Sequence, residues 1–398
     1  MVAAATVGEA VVLLVFMCLV LCCGDRSAGD GRGMAERTKL YWFNWPSHVG
    51  GADTKFVHLL ALLAGEYEIT VVPNGPKYLA GEVWRDYLAS LGVRVALMEE
   101  LPSRVEGWAV SLCNKAFFGE GLAAEMKRRG ARVAWSNEMM WHFEGELAAV
   151  RNGLVDRVMY VSPAQREILE PGYRAGKEAM DAPDALGGAI PRTRAAPLEW
   201  TMAGNWIAPA AFPFRQRGLP SESPFTIGRL SRPDPDKFPD DFPRFYEDLG
   251  LREPVRFRVM GWSEQLAERW SEHVFDARWQ LLPTATEPVV DFLNSLDVLV
   301  YSLSPRFKES WGRAVVEAML CGVVPIVPKG NGHHLEHLVE HDVSGYLCEN
   351  EGDYGRWARA LQNDPALRQR LSLGAREATC RRHCDAVSHL RLWRRVFD

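Results

Sequence analysis

The chain has 398 residues, of which 47% are hydrophobic and 24% are charged. A chain of this length exceeds one typical hydrophobic core and indicates two domains of ordinary size. Its net charge of −5 excludes the broad basic surface on which nucleic-acid binding depends, so we expect no nucleic-acid partner. Three of the eight cysteines lie in an apolar leader, and the other five are scattered, which disfavours a disulfide framework.

Residues 1–33 form that leader, and the sequence leaves its nature open. The run Val11–Cys23 has the length of a signal peptide and is short for a membrane span. No Lys or Arg precedes the run, no small-residue cleavage site follows it, and Met34 opens a stretch that is typical of a protein start. The leader is therefore a signal, an anchor or a mis-assigned start. Because no spanning segment follows Met34, we expect a cytoplasmic protein and leave membrane association open.

Short apolar runs alternate with helical stretches from Lys39 onward. The strand-like runs read KLYWFNW, EITVVP, RVALM, ARVAWS and DRVMYVS, and a helix, KFVHLLALLAG, separates the first two. Repeated strand–helix order predicts a parallel sheet with helices on both faces. We interpret residues 34–215 as an N-terminal α/β domain with an exposed insertion near residues 170–200, where Gly, Ala and Pro are frequent and no period is visible.

A second alternating unit occupies residues 216–380. Its strand-like runs read FTIGRL, VRFRVMG, RWQLLP, LDVLVY, VVPIVP and GYLC, with helices between them. Residues 381–398 are predicted to form a C-terminal helix that crosses back to the first domain. The sequence therefore predicts two facing Rossmann-like α/β domains with an interdomain cleft, and ligands are expected at the carboxyl ends of the strands.

The strongest motif is Glu309-Ser-Trp-Gly-Arg-Ala-Val-Val-Glu317, in which a loop leads into a helix. Eight residues at helical rise span about 12 Å, which is comparable to the distance from a sugar hydroxyl across a diphosphate to a ribose. Two carboxylates at this spacing can each accept hydrogen bonds from vicinal hydroxyls. The alternative is a solvated loop residue at Glu309 and an ordinary helix-face charge at Glu317.

This pattern, followed by EAM-x-CG-x-x-P-x-V, resembles the signature of the retaining glycosyltransferases of GT-B architecture, specifically family four (glycosyl transferases group 1). The resemblance extends along nearly the whole chain from Tyr41. FTIGRLSRPDPDKF resembles the segment that opens the family's second domain, and GHHLEHLVEHDVSGYLCEN resembles the loop and strand that follow its motif. The resemblance implies the GT-B fold, with the acceptor held by the first domain and a nucleotide sugar by the second.

The resemblance also assigns roles within the motif. Glu309 would be catalytic and bind the hydroxyls of the transferred sugar, and Glu317 would bind the ribose. Ser310, Trp311 and Gly312 would complete the donor-binding segment. Gly312 permits close approach of the backbone, so that the free amides of the first helical turn can hold phosphate oxygens.

Two cations are implied for the diphosphate, whose negative charge grows as the bond to the sugar breaks. Arg229 takes the first role and Lys237 the second. The family usually places its lysine five or six residues after the arginine, whereas Lys237 comes eight residues later. Arg232 is therefore kept as an alternative second cation. For Arg229 and Lys237 the other interpretation is plain surface charge on a loop. The geometric expectation is that Arg229, Glu309 and Glu317 line one interdomain groove.

In the first domain, the stretch from His48 through Gly50 and Gly51 to Asp53 resembles the family's glycine loop between the first strand and helix. Its amides would face the diphosphate or the acceptor, although the glycines could serve only a tight turn.

The segment NEMMWH follows the strand RVAWS, where the family often carries a histidine that reaches the donor sugar. His142 is the catalytic candidate by that resemblance. Glu138 or Trp141 could face the cleft instead, and a structural role for His142 is the remaining alternative.

Two further patterns suggest metal ions but are interpreted otherwise. Asp234-Pro-Asp236 matches an Asp-x-Asp motif of the other main glycosyltransferase architecture, and we interpret it as a Pro-rich loop. His333, His337 and His341 recur every fourth residue, yet the family places a helix start near the donor here, so we favour a contact with donor phosphate. We expect no metal and no cofactor beyond the donor itself. No GxGxxG follows a strand, which argues against a dinucleotide oxidoreductase.

The motif and the resemblance together predict an enzyme of the EC 2.4 class that transfers a sugar from a nucleotide-sugar donor. The resemblance further implies retention of configuration. The acceptor is left open as a glycan, a lipid or a small molecule, and a peripheral membrane contact is kept as a further alternative. Two alternatives are kept: a nucleotide-sugar epimerase of the same architecture, and a catalytically silent protein that only binds sugar or nucleotide.

Overall fold

The computed structural model describes residues 37–47, 50–80, 82–178, 199–219, 223–330 and 332–398. The chain divides into two compact units. Among the described residues, the first unit contains 37–207 together with 385–398, and the second unit contains 208–384. The predicted leader, residues 1–33, lies outside the described part of the chain.

The first unit contains a sheet of seven parallel strands in the spatial order β3-β2-β1-β4-β5-β6-β7. Their bounds are β1 Lys39–Trp42, β2 Glu68–Val71, β3 Arg94–Val95, β4 Trp108–Leu112, β5 Arg132–Ser136, β6 Arg157–Tyr160 and β7 Glu199–Met202. Strand β4 is central, although the sequence analysis did not identify its run WAVSL. All five of its residues are buried, and a strand buried on both faces lacks the alternation that marks a strand.

Helices alternate with these strands. Their bounds are α1 Gly51–Leu63, α2 Glu82–Ser90, α3 Ala116–Gly119, α4 Leu122–Arg128, α5 Glu146–Arg151 and α6 Pro163–Glu178. The prediction of an irregular insertion near residues 170–200 is wrong for its first residues, because α6 continues to Glu178. Leu169 and Tyr173 are buried on either side of Pro171, and this packing holds the helix together where local propensity predicts a break. Residues 179–198 lie outside the described part.

The second unit contains six parallel strands in the order β10-β9-β8-β11-β12-β13. Their bounds are β8 Phe225–Leu230, β9 Val255–Trp262, β10 Trp279–Pro283, β11 Val298–Val300, β12 Val324–Pro328 and β13 Tyr346–Cys348. The sequence predicted each of these six strands. The helices are α7 Phe242–Glu247, α8 Glu264–Arg269, α9 Val289–Asn294, α10 Arg313–Leu320, α11 Glu351–Asn363 and α12 Pro365–His383.

The C-terminal helix, α13 Ala386–Phe397, belongs to the first unit. The ring of Trp393 lies 5.8 Å from that of Trp42 in β1, and the indole N–H of Trp108 in β4 donates to the Phe397 carbonyl at 2.9 Å. Trp393 and Phe397 are buried in the core that these strands form. The helix therefore completes the core of a unit whose other elements precede it by nearly two hundred residues of chain.

The prediction of two Rossmann-like α/β units is confirmed, because both sheets are parallel and both reverse their winding in the same way. In the first unit the reversal falls between β1 and β4, and in the second it falls between β8 and β11. None of the described helices has both the length and the apolar composition needed to cross a bilayer.

Candidate functional site

The main polar cluster of the second unit lies where the winding of its sheet reverses. The loop after β8 carries Lys237, and the segment after β11 carries Tyr301 and Glu309. Because β8 and β11 are adjacent and parallel, their carboxyl ends meet at one edge of the sheet, which is where open α/β sheets bind ligands. The Nζ atom of Lys237 lies 2.9 Å from Oε2 of Glu309, so this ion pair joins the two loops.

Tyr301 completes what we call the Lys237 cluster, defined by Lys237, Tyr301 and Glu309. The Tyr301 hydroxyl donates to Oε2 of Glu309 at 3.1 Å, and Nζ of Lys237 lies 3.4 Å from the hydroxyl oxygen. All three residues are buried, with the largest exposed fraction, 9%, at Glu309. Buried charges persist only when they are paired and hydrogen-bonded, and each of these groups satisfies the others.

The electrostatics of the cluster keep both charges in place. Burial by itself raises the pKa of Glu309, but the charge of Lys237, the hydrogen bonds from Lys237 and Tyr301, and the charge of Arg232 together lower this pKa below its ordinary value. Burial lowers the pKa of Lys237, and the negative charge of Glu309 more than offsets this, so the pKa is raised. The pair is therefore ionised at neutral pH, and Glu309 is a hydrogen-bond acceptor.

Arg229 supports the cluster from within the core. Its guanidinium is fully buried, lies 4.4 Å from the ring of Phe238 and 4.7 Å from that of Tyr301, and donates to the carbonyl of Lys237 at 2.8 Å. A second terminal nitrogen donates to the carbonyl of Ser302. Arg229 thus fixes the backbone on both sides of the sheet reversal. The predicted contact of Arg229 with a diphosphate stays a prediction, since in this structure both terminal nitrogens bind main-chain carbonyls.

Arg232, the alternative cation, is only partly buried. Its charge acts on both Lys237 and Glu309. Within the described part of the chain, the guanidinium of Arg232 makes no hydrogen bond or ion pair. Lys237 thus already forms an ion pair with Glu309, whereas the guanidinium N–H donors of Arg232 remain available to a ligand. Which of the two binds a diphosphate stays a prediction.

Gly312 lies immediately before α10 and has a left-handed backbone, with φ of 90°. A Cβ at this position would lie 2.5 Å from Cδ2 of Leu335 and 2.8 Å from Cδ1 of Leu338. Both the backbone conformation and the lack of space therefore require glycine. The N–H of Val315 donates to the Gly312 carbonyl at 3.0 Å, whereas the first two amides of α10 precede the first acceptor of the helix. No side chain caps these two amides, so they are suited to an anion.

Ser310 and Trp311 lie between Glu309 and this glycine. Ser310 is half-buried, and Trp311 is buried with its ring edge-on to that of His383, at 5.1 Å between centroids. The indole therefore helps to anchor the loop against the end of α12. The donor contacts predicted for these two residues stay predictions.

Glu317 lies one turn along α10 and pairs with a residue of its own helix. The Nε atom of Arg313 donates to Oε1 of Glu317 at 2.7 Å, and both side chains are about nine-tenths buried. Burial raises the pKa of Glu317, although the charge and hydrogen bond of Arg313 act to lower it. Among the described residues, Glu317 shares no hydrogen bond with the Lys237 cluster, and its predicted contact with a ribose stays a prediction.

The two metal-like patterns have structural partners. Asp234 accepts a hydrogen bond from the backbone N–H of Asp236 at 3.1 Å and begins a turn, as expected for a Pro-rich loop. Nδ1 of His333 lies 2.9 Å from the carbonyl oxygen of Phe307, and burial lowers the pKa of His333. The described residues include no group of three or more His, Cys, Asp or Glu side chains that could hold a metal ion.

The predicted glycine loop of the first unit lies at the start of α1. Gly50 has φ of 96° and precedes the helix, and Gly51 is its first residue. As at α10, no side chain caps this helix. His48 lies outside the described residues. The predicted contact of Gly50 and Gly51 with a phosphate or an acceptor stays a prediction.

His142 packs against α6. Its Nε2 atom lies 3.1 Å from the carbonyl oxygen of Leu169, and its ring is edge-on to Tyr173 at 4.7 Å between centroids. A catalytic role for His142 stays a prediction, and it would require the ring to leave these contacts. Of the alternatives on the same loop, Glu138 forms an ion pair with the buried Lys55 at 2.7 Å, and Trp141 is half exposed.

Sequence reasoning missed two side chains that the structure places beside the candidate residues. Tyr301 directly follows a buried strand, and a polar aromatic at the carboxyl end of a strand is a signal that could have identified it. Arg313 lies four residues before Glu317, the spacing at which side chains meet on one face of a helix.

Comparison with solved structures shows the class of fold. The chain resembles Anabaena Alr3699/HepE in complex with UDP-glucose with a TM-score of 0.63 and 15% identity, over 90% of this chain and 99% of that one. It resembles the sucrose-phosphate synthase from Thermosynechococcus elongatus with a TM-score of 0.61 and 15% identity, again over 90% and 99%. The fold is therefore GT-B, with two Rossmann-like units.

The sequence comparisons are more specific. Residues 213–378 match the family model described as glycosyl transferases group 1. A D-inositol 3-phosphate glycosyltransferase from Streptomyces bingchenggensis is 31% identical over 140 residues, which is 32% of this chain and 30% of that protein. The alignment thus spans less than a third of the curated relative's length. The resemblance to glycosyl transferases group 1 is confirmed, and the matched residues contain the whole Lys237 cluster and α10.

Proposed function

We propose that this protein is a glycosyltransferase that moves a sugar from a nucleotide-sugar donor to an acceptor, with retention of anomeric configuration. The observation that carries the proposal is the Lys237 cluster, an ionised carboxylate held by a buried cation where the sheet reverses its winding. Only a few residues away, Gly312 precedes α10, whose first two amides have neither an acceptor within the helix nor a side-chain cap. One place thus offers an acceptor for sugar hydroxyls and donors for phosphate oxygens.

The chemistry follows from where charge develops. As the bond between sugar and diphosphate breaks, negative charge grows on the leaving diphosphate, and pre-oriented amides and cations at that position lower the barrier. The amides at the start of α10 and the guanidinium of Arg232 would supply this stabilisation. Oε2 of Glu309 is held by Lys237 and Tyr301, which leaves Oε1 to accept a hydroxyl of the transferred sugar.

Retention is part of the proposal and rests on the resemblance to the family. No residue of the cluster is placed as a covalent nucleophile, so the departing diphosphate would itself accept the proton of the acceptor hydroxyl on the same face of the sugar. We also propose that transfer needs no metal ion. Addition of EDTA should then leave the rate of transfer unchanged.

The donor class is supported by the compounds named with the similar structures. HepE has been crystallised with UDP-glucose, with UDP and glucose, and with UDP. We therefore propose a uridine diphosphate sugar as the first donor to test.

A thermal-shift panel of nucleotide sugars tests binding, since a ligand at one hundred times its Kd stabilises the folded state by about 2.7 kcal/mol. The preferred donor is then incubated with and without candidate acceptors, and free nucleotide and products are separated. Acceptor-dependent nucleotide release with an α-anomer from an α-linked donor supports the proposal. Isomerised nucleotide sugar without acceptor would instead identify an epimerase. Binding with no turnover of any acceptor would indicate a silent binding protein.

A further inference from the structure

Trp141 is a solvent-exposed aromatic residue near the carboxyl ends of the strands in the sheet of the first unit. Half of this residue is exposed, and the other strongly exposed large hydrophobic residues among those described are aliphatic, apart from Phe214 at 37%. Trp141 lies in the loop between β5 and α5, residues 137–145, which we call the β5 loop. Loops at the carboxyl ends of parallel strands are the ligand-binding edge of this fold.

The β5 loop has no regular secondary structure, yet its backbone is fixed by side chains. Asn137 is buried, and its Nδ2 donates to the carbonyl of Trp141 at 2.9 Å and to both carboxylate oxygens of Glu146. Its Oδ1 accepts from the N–H of Met139 at 2.8 Å, and the carbonyl of Met139 accepts from Gln165 at 2.8 Å. The main chain on both sides of Trp141 is therefore held in one conformation.

Glu146 anchors the other end of the β5 loop. It is fully buried, and its carboxylate accepts hydrogen bonds from the indole of Trp135 at 2.7 Å, from the N–H of Phe143 at 2.7 Å and from the hydroxyl of Tyr173. Surface loops are usually mobile and variable, and an irregular loop held by this many buried contacts is pre-organised. The exposed indole is thus held at a fixed position.

The backbone at Glu138 adds a second, independent observation. Glu138 has φ of 62°, a left-handed conformation that is costly for a residue with a side chain. The conformation is held because the Glu138 carboxylate pairs with Lys55, whose side chain is fully buried. Strained residues that are held by their surroundings cluster at binding sites, where the strain orients a neighbouring group.

The chemistry of the exposed positions indicates what binds. In the β5 loop these positions are Trp141, Glu144 and Gly145. Contiguous apolar patches of several hundred Å² mark protein and membrane contacts, whereas Trp141 is the one exposed large hydrophobic residue of the β5 loop. The charge of Glu144 also disfavours an anionic surface. A single flat ring, with an exposed carboxylate three residues further along the same loop, suits one small polyhydroxylated ring, which has an apolar face for the indole and hydroxyls for the carboxylate.

We propose that the β5 loop is a preformed acceptor site and that Trp141 stacks on a pyranose or cyclitol ring of the acceptor. That the bound ring is an acceptor rests on the proposed function. The contact between Trp141 and a sugar ring does not depend on it. Trp141 is a binding residue that orients the acceptor, and it takes no part in proton transfer.

The direct test is fluorine NMR of the full chain labelled with 5-fluorotryptophan. The chain has 14 tryptophans, and Trp141→Phe assigns the Trp141 resonance by its loss. Methyl glucoside, methyl galactoside and myo-inositol are then titrated at millimolar concentrations. We expect a saturable change of the Trp141 resonance with at least one of these rings, while the resonances of the buried tryptophans stay in place. An unresponsive Trp141 in a protein that is stabilised by nucleotide sugar would overturn the assignment.

A kinetic test uses Trp141→Ala beside Val387→Ala, a matched truncation of a residue of the same unit that is 54% exposed. Trp141→Ala should raise the acceptor KM about tenfold, equivalent to about 1.4 kcal/mol, and leave the donor KM and the kcat unchanged. Trp141→Phe should recover most of the loss. Because Trp141 is exposed, its truncation should barely change the melting temperature. Equal acceptor KM values for Trp141→Ala and Val387→Ala would contradict the proposal.

Two further outcomes separate the inference from the proposed function. If Trp141 responds to a methyl glycoside but no nucleotide sugar is bound or consumed, the sugar site stands and sugar transfer is wrong. If Trp141 responds to vesicles of neutral phosphatidylcholine and to none of the sugars, the β5 loop is a membrane contact and the sugar assignment is wrong.

Discussion

The Lys237 cluster of the second unit and the β5 loop of the first unit both bury charged groups at the carboxyl end of a parallel sheet. In the Lys237 cluster, Glu309 is held through one oxygen, by Lys237 and Tyr301. In the β5 loop, Glu146 has both oxygens occupied by donors of its own unit. A buried carboxylate can therefore serve a ligand or serve the fold, and the number of donors already in place distinguishes the two.

The largest expected effect concerns Glu309, whose second carboxylate oxygen is available to a ligand. Glu309→Gln should lower kcat/KM for transfer by a factor of about 10² to 10³, as for removal of one pre-organised group at a developing charge. Glu349→Gln, which changes an exposed glutamate paired with Lys329, is the matched control and should be neutral. Rates of nucleotide release under saturating acceptor provide the measurement. Wild-type activity in Glu309→Gln would show that Glu309 does not serve a ligand and would contradict the distinction drawn between Glu309 and Glu146.

The opposite result is expected at Glu146. Glu146→Ala leaves the donors of Trp135, Asn137 and Tyr173 without their acceptor in a buried site, so the unfolding free energy should fall by about 3 kcal/mol. Denaturant titration followed by circular dichroism checks this. Residual folded Glu146→Ala should keep its affinity for nucleotide sugar, because the residue belongs to the other unit. Loss of donor binding in folded protein would contradict the division of roles.

Gly312 tests whether the backbone at the start of α10 contributes to donor binding in the second unit. Gly312→Ala places a Cβ within 2.5 Å of Leu335 and in a left-handed backbone. We expect a loss of stability of about 2 kcal/mol from the backbone conformation and the crowding. The start of α10 should also shift, which raises the donor KM. Gly330→Ala is the control, because Gly330 has φ of 73° but no neighbour within 4 Å of the added Cβ. Similar donor KM values for the two variants would show that space at Gly312 is unimportant.

The smallest effect depends on pH and concerns His389 in α13. Burial, and then the charge of Lys55, lowers the pKa of His389 to about 4, whereas an unfolded histidine has a pKa near 6.5. The unfolded state therefore takes up the proton first, and this contribution to stability is full above pH 6.5 and is lost between pH 6.5 and 4. At pH 5 the loss should be about 2 kcal/mol.

Melting temperatures of the wild type and His389→Gln between pH 7 and pH 4.5 provide the check. The two curves should converge as the pH falls, because glutamine does not titrate. Parallel curves would mean that the pKa of His389 is the same in the folded and unfolded states and that another group sets the acid sensitivity of the first unit.

Much of the fold could be read from local pattern. The strands of the second sheet are continuous apolar runs bounded by Gly, Pro and charge, and each was predicted. Strand β4 was missed and α6 was ended too early, because in both segments tertiary burial overrides the local signal. Pro171 is the clearest case, since the break that it favours is outweighed by the buried Tyr173.

The sequence alone determined which residues are candidates for the donor site, because the spacing from Glu309 to Glu317 and the glycine between them are local properties of one loop and one helix. Only the tertiary structure decided what these side chains are bound to. In the structure, Lys237 forms an ion pair with Glu309, and Arg229 donates to backbone carbonyls. His142 packs against α6, and Trp141 is exposed to solvent. The reason is physical: hydrogen-bond partners of buried charges come from distant parts of the chain, and their pairing depends on how the strands are ordered in the sheet.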